Sequence, residues 1–220
     1  MILEGIAGTA VKLFVTLNLA TSFLIVGGRR VDTAIKMTVL QALLLSGIAG
    51  ILGWVTGKTE IYFAALLTVA VKGGIIPYVL HKVEGRVGAA REAESYVNIK
   101  MSLVICAALV ILSTAVTGRL IEAGPALATT VLPTAVSMML IGLFIMITRK
   151  LAIMQIIGLL IMENGLFLAG VGTASGLPLV VELGVFLDIL VGVLIMGILT
   201  FRINRTFDNI NTDNLKKLRG

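Results

Sequence analysis

Apolar runs of about twenty residues recur along this chain, and no other feature limits its fold so severely. A helix needs about 20 such residues, within roughly 17–25, to cross the hydrocarbon core of a bilayer. Seven runs meet that length: Ile6–Val26, Thr33–Val55, Ile61–Leu80, Ile99–Thr117, Ala126–Ile147, Leu151–Val171 and Leu177–Phe201. Composition agrees, since 58% of residues are hydrophobic and only 14% charged, whereas soluble domains are roughly 45–50% apolar and about 25% charged. A secreted disulfide scaffold, a disordered chain and an ordinary cytosolic enzyme are excluded. No segment alternates with period two as a membrane barrel requires. The expected fold is therefore all-α, a polytopic bundle of seven transmembrane helices in a lipid bilayer. Its expected division is a four-helix segment over 1–118 and a three-helix segment over 119–220. The opening MILEGIAGTAVKLF carries Glu4 and lacks the basic start of a signal peptide, so the first run is expected to remain as a span.

The net charge of +6 is distributed unevenly. Alternate connections carry Arg29, Arg30 and Lys36; then Lys82, Arg86, Arg91 and Lys100; then Arg149 and Lys150. The C-terminal tail adds Arg202, Arg205, Lys216, Lys217 and Arg219, while the opposite connections hold only Lys58 and Arg119. Cytoplasmic loops of membrane proteins concentrate Lys and Arg. The expectation is an N-terminus outside, a C-terminus in the cytoplasm and residence in a bacterial or archaeal cytoplasmic membrane. The same rule accounts for the basic balance without nucleic acid, and no basic stretch is interleaved with stacking aromatics.

Ionisable residues inside the runs are the candidate functional groups. Counted at about 1.5 Å per residue, Lys72, Glu163 and Asp188 fall near the centre of a hydrocarbon layer roughly 30 Å thick. Glu182 lies on the seventh run nearer the outer surface, and Lys12, about two turns into the first, can snorkel outward along its stem. A charge at mid-bilayer costs at least about 2.5–3.5 kcal/mol. One account is an interhelical ion pair, Lys72 with Glu163 or Asp188, that only joins helices. The other is a proton relay, in which burial and opposite charge pull each group's proton affinity in contrary directions. Lys72 is followed by Gly73, Gly74 and Pro77 in VKGGIIPYVLHKV. Pro77 cannot donate to the Gly73 carbonyl, so a kink or opening is expected there. Pro133, among Thr129, Thr130, Thr134 and Ser137, marks a possible second break. His81, the one histidine, reads as an interface residue, and Gly47, Gly50 and Gly53 as packing positions. Cys106, the one cysteine, excludes an internal disulfide or a Cys-bound zinc or iron–sulfur cluster within this chain. No Walker loop or HExxH motif occurs and the last run has no lysine for a retinal Schiff base, so no cofactor is expected.

The stretches RKLAIMQIIGLLIMENGLFLAG and VVELGVFLDILVGVLIMGI, with the tail NINTDNLKKLRG, resemble the small K-type subunit of respiratory complex I. Relatives of that subunit include the C subunit of multisubunit cation/proton antiporters. With its length and seven runs, the chain is similar to component E of the hydrogenase-4 and formate hydrogenlyase family. The resemblance implies a K-like segment over 119–220 with two membrane-embedded carboxylates that pass protons. Asp188 falls at the second. The first usually lies in a motif like IGLEIM, which here reads IGLLIM, so Leu160 occupies the expected position and the carboxylate follows one turn later at Glu163. Lys72 and Glu182 are further proton-transfer candidates. The implied partners are large antiporter-like membrane subunits and the other subunits of a hydrogenase-type complex. Two alternatives stay open, a cation/proton antiporter subunit without a redox partner and a passive scaffold between larger subunits.

Overall fold

The computed structural model describes residues 2–57, 59–87, 94–121, 128–172 and Gly192. Helix α1 (Ile2–Gly27) is followed by α2 (Val31–Thr56). Next, α3 (Thr59–Thr68), a π-helical segment (Val69–Ile75) and α4 (Ile76–Val87) run on as a single span. Then come α5 (Ile99–Ile121), α6 (Ala128–Thr148) and α7 (Ala152–Gly172). Six helices among the described residues are long and apolar enough to cross a membrane, matching the first six runs, and the chain is a multi-pass membrane protein. The seventh run, Leu177–Phe201, lies outside the described residues except for Gly192.

Three tethers gather one set of helix ends. The Arg149 guanidinium, after α6, donates to the Val26 carbonyl near the end of α1. The Tyr96 and Lys150 amides bond Thr148 O at 3.0 Å and Glu94 O at 3.1 Å, which binds the approach to α5 onto the α6–α7 turn. His81 Nδ1 of α4 lies 3.9 Å from Asp32 Oδ1 at the start of α2. Arg29, Arg30, Lys82, Lys100, Arg149 and Lys150 all belong to this end. Asp32 also pairs with Lys36 at 2.7 Å one turn along, and the interface role expected of His81 agrees with its place.

Between transmembrane helices lipid removes the hydrophobic drive, so association rests on close packing and interhelical hydrogen bonds. Helices α6 and α7 pack at backbone distance. A Cβ on Gly142 would sit 2.5 Å from Gly158 O, one on Gly158 2.8 Å from Gly142 O, and one on Gly165 2.6 Å from Ala135 O. Met138, Ile141 and Ile145 of α6 are buried with Met154, Ile157, Leu160 and Ile161 of α7. They join Val11, Val15, Ile35, Leu45 and Ile48 of α1 and α2 in one core. Among the described spans, helix α7 is the most enclosed and α5 the most peripheral. Of the expected packing glycines, Gly47 lies against Phe14 and Gly53 against Tyr62, whereas a Cβ on Gly50 would meet nothing within 4 Å.

The two expected breaks differ. Around Lys72 the helix opens into the π-helical segment, where the Ile76 N–H reaches back to Val71 O. The widened turn ends beside Pro77, where an α-helical carbonyl four residues back would clash with the ring. Pro133 makes no break, for α6 runs through it. It lies little more than one turn from the helix start, and its carbonyl accepts hydroxyls from Ser113 of α5 and Ser137 of α6.

Candidate functional site

Lys72 leaves the π-helical segment into the protein interior and is 5% exposed. Its Nζ lies 2.8 Å from Glu163 Oε1 on α7, and Glu163 is 1% exposed. Lys72 Nζ also donates to Asn164 Oδ1 at 3.3 Å. Adjacent residues of one helix, a carboxylate and an amide, thus share one ammonium. The crossing of α6 and α7 fixes their height, because Met162, the residue before Glu163, contacts the open side of Gly142.

The polar contacts continue across the bundle. Asn164 Nδ2 donates to Gln41 Oε1 of α2 at 3.1 Å. Gln41 Nε2 donates to Ser22 Oγ at 2.9 Å and to the Asn18 carbonyl at 3.3 Å, both on α1. Ser22 Oγ and Thr21 Oγ1 donate to that same carbonyl at 3.1 and 2.7 Å. Asn18, Ser22, Gln41 and Asn164 are all buried. The Asn18 side chain donates to Phe14 O at 3.2 Å, and its Oδ1 has no hydrogen-bond partner among the described residues.

These groups share one depth. Counted from the tethered helix ends, Asn18, Gln41, Lys72, Glu163 and Asn164 lie between about 13 and 18 Å in, at 1.5 Å per residue. The chain of contacts therefore runs sideways through the membrane, from the π-helical segment through α7 and α2 to α1. Buried ion pairs are worth keeping only when hydrogen bonds satisfy the remaining groups, and Asn164 is one such partner.

Of the four proton-transfer candidates, the structure brings Lys72 and Glu163 together, while Asp188 and Glu182 lie outside the described residues. Leu160 is buried in the core one turn before Glu163. Reasoning from charge alone missed Asn18, Gln41 and Asn164. Their signal was present, because each is an amide in the middle of an apolar run, where an unmet hydrogen bond costs several kcal/mol, of order 2–7. Arg149 was read only as a topological marker, yet it is 3% exposed. Burial draws its guanidinium below the usual arginine value, and arginine in that setting stays charged. It caps the C-terminal end of α1, where carbonyls carry partial negative charge. Among the described residues, no group of three or more His, Cys, Asp or Glu could hold a metal ion.

Comparison with known proteins bears on this arrangement. The family model for NADH-ubiquinone/plastoquinone oxidoreductase chain 4L matches residues 130–220, beginning inside α6 and taking in all of α7. Uncharacterized protein Rv0085 of Mycobacterium tuberculosis is 32% identical over 199 residues, 90% of each chain. Hydrogenase-4 component E of Escherichia coli K12 is 33% identical over 89 residues, which are 40% of this chain and 41% of that one. The Shigella flexneri protein of the same name matches to the same extent. No solved structure matches the chain.

Proposed function

We propose that this chain, which belongs to one family with Rv0085 and through residues 130–220 to the NADH-ubiquinone/plastoquinone oxidoreductase chain 4L family, is a membrane subunit of a complex-I-related assembly. The assembly is of the group 4 nickel–iron hydrogenase or formate hydrogenlyase type. The chain links a redox-active peripheral arm to large antiporter-like subunits and passes protons within the membrane. Glu163 is the first proton-carrying group, Lys72 its partner, and Asp188 the second carboxylate, with Glu182 toward the outer face. The seventh span and an orientation with the tethered, basic end in the cytoplasm belong to the same reading. So does the division at residue 118 into a four-helix segment and a K-like segment.

The observation that carries this reading is the Lys72–Glu163 pair, 2.8 Å apart and buried at mid-membrane. The carboxylate stands one turn from the expected position, on the span that the family model covers. A proton added to Glu163 removes the pair's negative charge, and its departure restores it. The pair can therefore alternate between two charge states without leaving the bundle, as a lateral carrier requires. A passive bridge between larger subunits is the second reading, favoured by the same pair because a closed ion pair also fixes helices in register.

Glu163→Gln in the native complex separates them. Proton translocation into inverted vesicles should fall at least tenfold, while the peripheral arm keeps much of its electron transfer. Translocation at the wild-type rate would remove Glu163 from any relay and leave the bridging role. Mass spectrometry of the complex purified in mild detergent tests the partners. Hydrogenase-like and antiporter-like subunits together are expected, and antiporter-like subunits alone would shift the reading to cation/proton exchange.

A further inference from the structure

Helix α1 turns two unlike stripes toward the membrane. Ile6, Leu13, Leu17 and Leu24 form one and are 62, 57, 41 and 58% exposed, a surface suited to lipid chains. Gly5, Thr9, Lys12, Thr16 and Ala20 form the other, also exposed, at the spacings of three and four that share a helix face. Thr9 and Thr16 donate their hydroxyls back to Gly5 O and Lys12 O, each at 2.9 Å, which leaves lone pairs on both oxygens. Among the described residues the Lys12 ammonium has no acceptor and no counter-charge. Charged side chains elsewhere in the six spans are accounted for. Lys72 and Glu163 pair in the interior, Asp32 and Lys36 pair near the start of α2, and Lys82 and Lys100 stand at span ends. Lys12 lies about 10 Å inside the span that begins at Gly5, at 1.5 Å per residue. This is the half of the membrane opposite the basic, tethered end, so Lys12 does not serve orientation.

We propose that the Lys12 stripe of α1 docks a transmembrane helix of a neighbouring subunit, and that this helix carries a carboxylate level with Lys12. The inference rests on the subunit reading and adds which face meets a partner and what chemistry the partner brings. Between helices in lipid, small residues allow close approach and polar groups supply attraction. Gly5 and Ala20 give the first, Lys12 and the two threonines the second. A charged group within a span ordinarily faces protein or a wet cavity and is paired there. A second copy of this chain does not fit. Packed through the same stripe it would set Lys12 against Lys12, and the carboxylates in its described spans are Asp32 and Glu163, both engaged. A lipid phosphate is the remaining rival, because a helical side chain leans toward the N-terminal end of its helix. That rival leaves Thr16, one turn deeper than Lys12, facing lipid chains alone.

Photo-cross-linking in the native membrane tests the face. The photoreactive residue p-benzoylphenylalanine is installed singly at Thr9, Thr16, Leu13 and Leu17, and the adducts are identified by mass spectrometry. Thr9 and Thr16 should join one membrane subunit, at a segment containing Asp or Glu, at least tenfold more than Leu13 and Leu17, which should yield lipid adducts. Lys12→Glu should lower recovery of that subunit with the chain at least fivefold in mild detergent. Placing a lysine at the acidic position of the cross-linked segment should restore it. Phospholipid adducts alone from both threonines, adducts to a second copy, equal yields from the two stripes or a charge exchange that restores nothing overturn the proposal and leave the subunit reading intact. If the bulky probe blocks assembly at both threonines, Lys12→Glu decides. Unchanged recovery of the membrane subunits overturns the proposal, and a loss that Lys12→Arg does not share supports it. A wild-type chain that purifies with no other subunit overturns the subunit reading, and the docking face with it.

Discussion

Replacing Gly142 by alanine adds one methyl group at the point where α6 and α7 touch. That methyl would lie 2.5 Å from Gly158 O, 2.6 Å from Met162 N and 2.9 Å from Met162 Cβ. Ordinary contact begins at 3.4 Å, so α7 must retreat by about 0.9 Å, and two of the three obstructing atoms are backbone that cannot swing aside. Over-filling a packed site typically costs about 1–3 kcal/mol, and lost contacts along the rest of this crossing place Gly142→Ala at the upper end, about 3 kcal/mol. Met162 precedes Glu163, so the retreat also carries the carboxylate away from Lys72, and 2.8 Å becomes at most about 3.7 Å. Gly50→Ala is the control. A methyl there meets nothing within 4 Å, and alanine is better than glycine inside a helix by roughly 0.5–1 kcal/mol. Denaturant titration followed by circular dichroism in detergent micelles should therefore show Gly142→Ala losing stability and Gly50→Ala holding or gaining it. Equal stability of the two variants would mean that α6 and α7 do not meet at this crossing.

Lys72→Met breaks the buried pair by removing one partner and should cost about 3–5 kcal/mol, whereas Lys72→Met/Glu163→Leu should lie nearer wild type; a double variant no more stable than the single one contradicts the ion pair. Asn18→Leu removes the bond to Phe14 O and an acceptor that has no hydrogen-bond partner among the described residues, so unfolding should shift by about 1 kcal/mol or less. A larger loss would reveal a buried water bound there. Arg149→Ala frees the Val26 carbonyl and loosens the tethered end, about two turns from the buried Cys106 of α5. Alkylation of the buried Cys106 should accelerate at least tenfold in that variant, and an unchanged rate would show that Arg149 does not hold this end closed.

How much of this was legible in advance depended on how far each signal acts. Six spans could be read because an apolar run of bilayer length has few other solutions, and VKGGIIP announced an opening because Pro77 lacks an N–H whatever its neighbours are. The Lys72–Glu163 pairing was one of two named possibilities, and the other, with Asp188, lies outside the described residues. Naming a partner needs helix neighbours, which arise from three-dimensional packing and leave no local mark in the chain. Helix α6 runs on through Pro133, and one hydroxyl on the Pro133 carbonyl comes from another helix, a contact that no local pattern announces. Gly142, Gly158 and Gly165 were invisible for the same reason, since nothing along the chain distinguishes a glycine facing a backbone from Gly50, which faces open space. The amides were readable in principle, being as far from water as the charges.

The common depth of the polar groups has an electrical consequence. Carrying one elementary charge across the whole membrane against 100 mV requires about 2.3 kcal/mol. The polar groups from Asn18 to Asn164 differ in depth by only about 5 Å of a layer roughly 30 Å thick. Moving a charge anywhere among them therefore works against about a sixth of the potential, or about 0.4 kcal/mol per 100 mV. Lateral steps through this bundle are nearly blind to voltage, and an energised membrane leaves their rates almost unchanged. On the proposed relay, any steep voltage dependence of the assembly must then originate where protons enter or leave along the membrane normal.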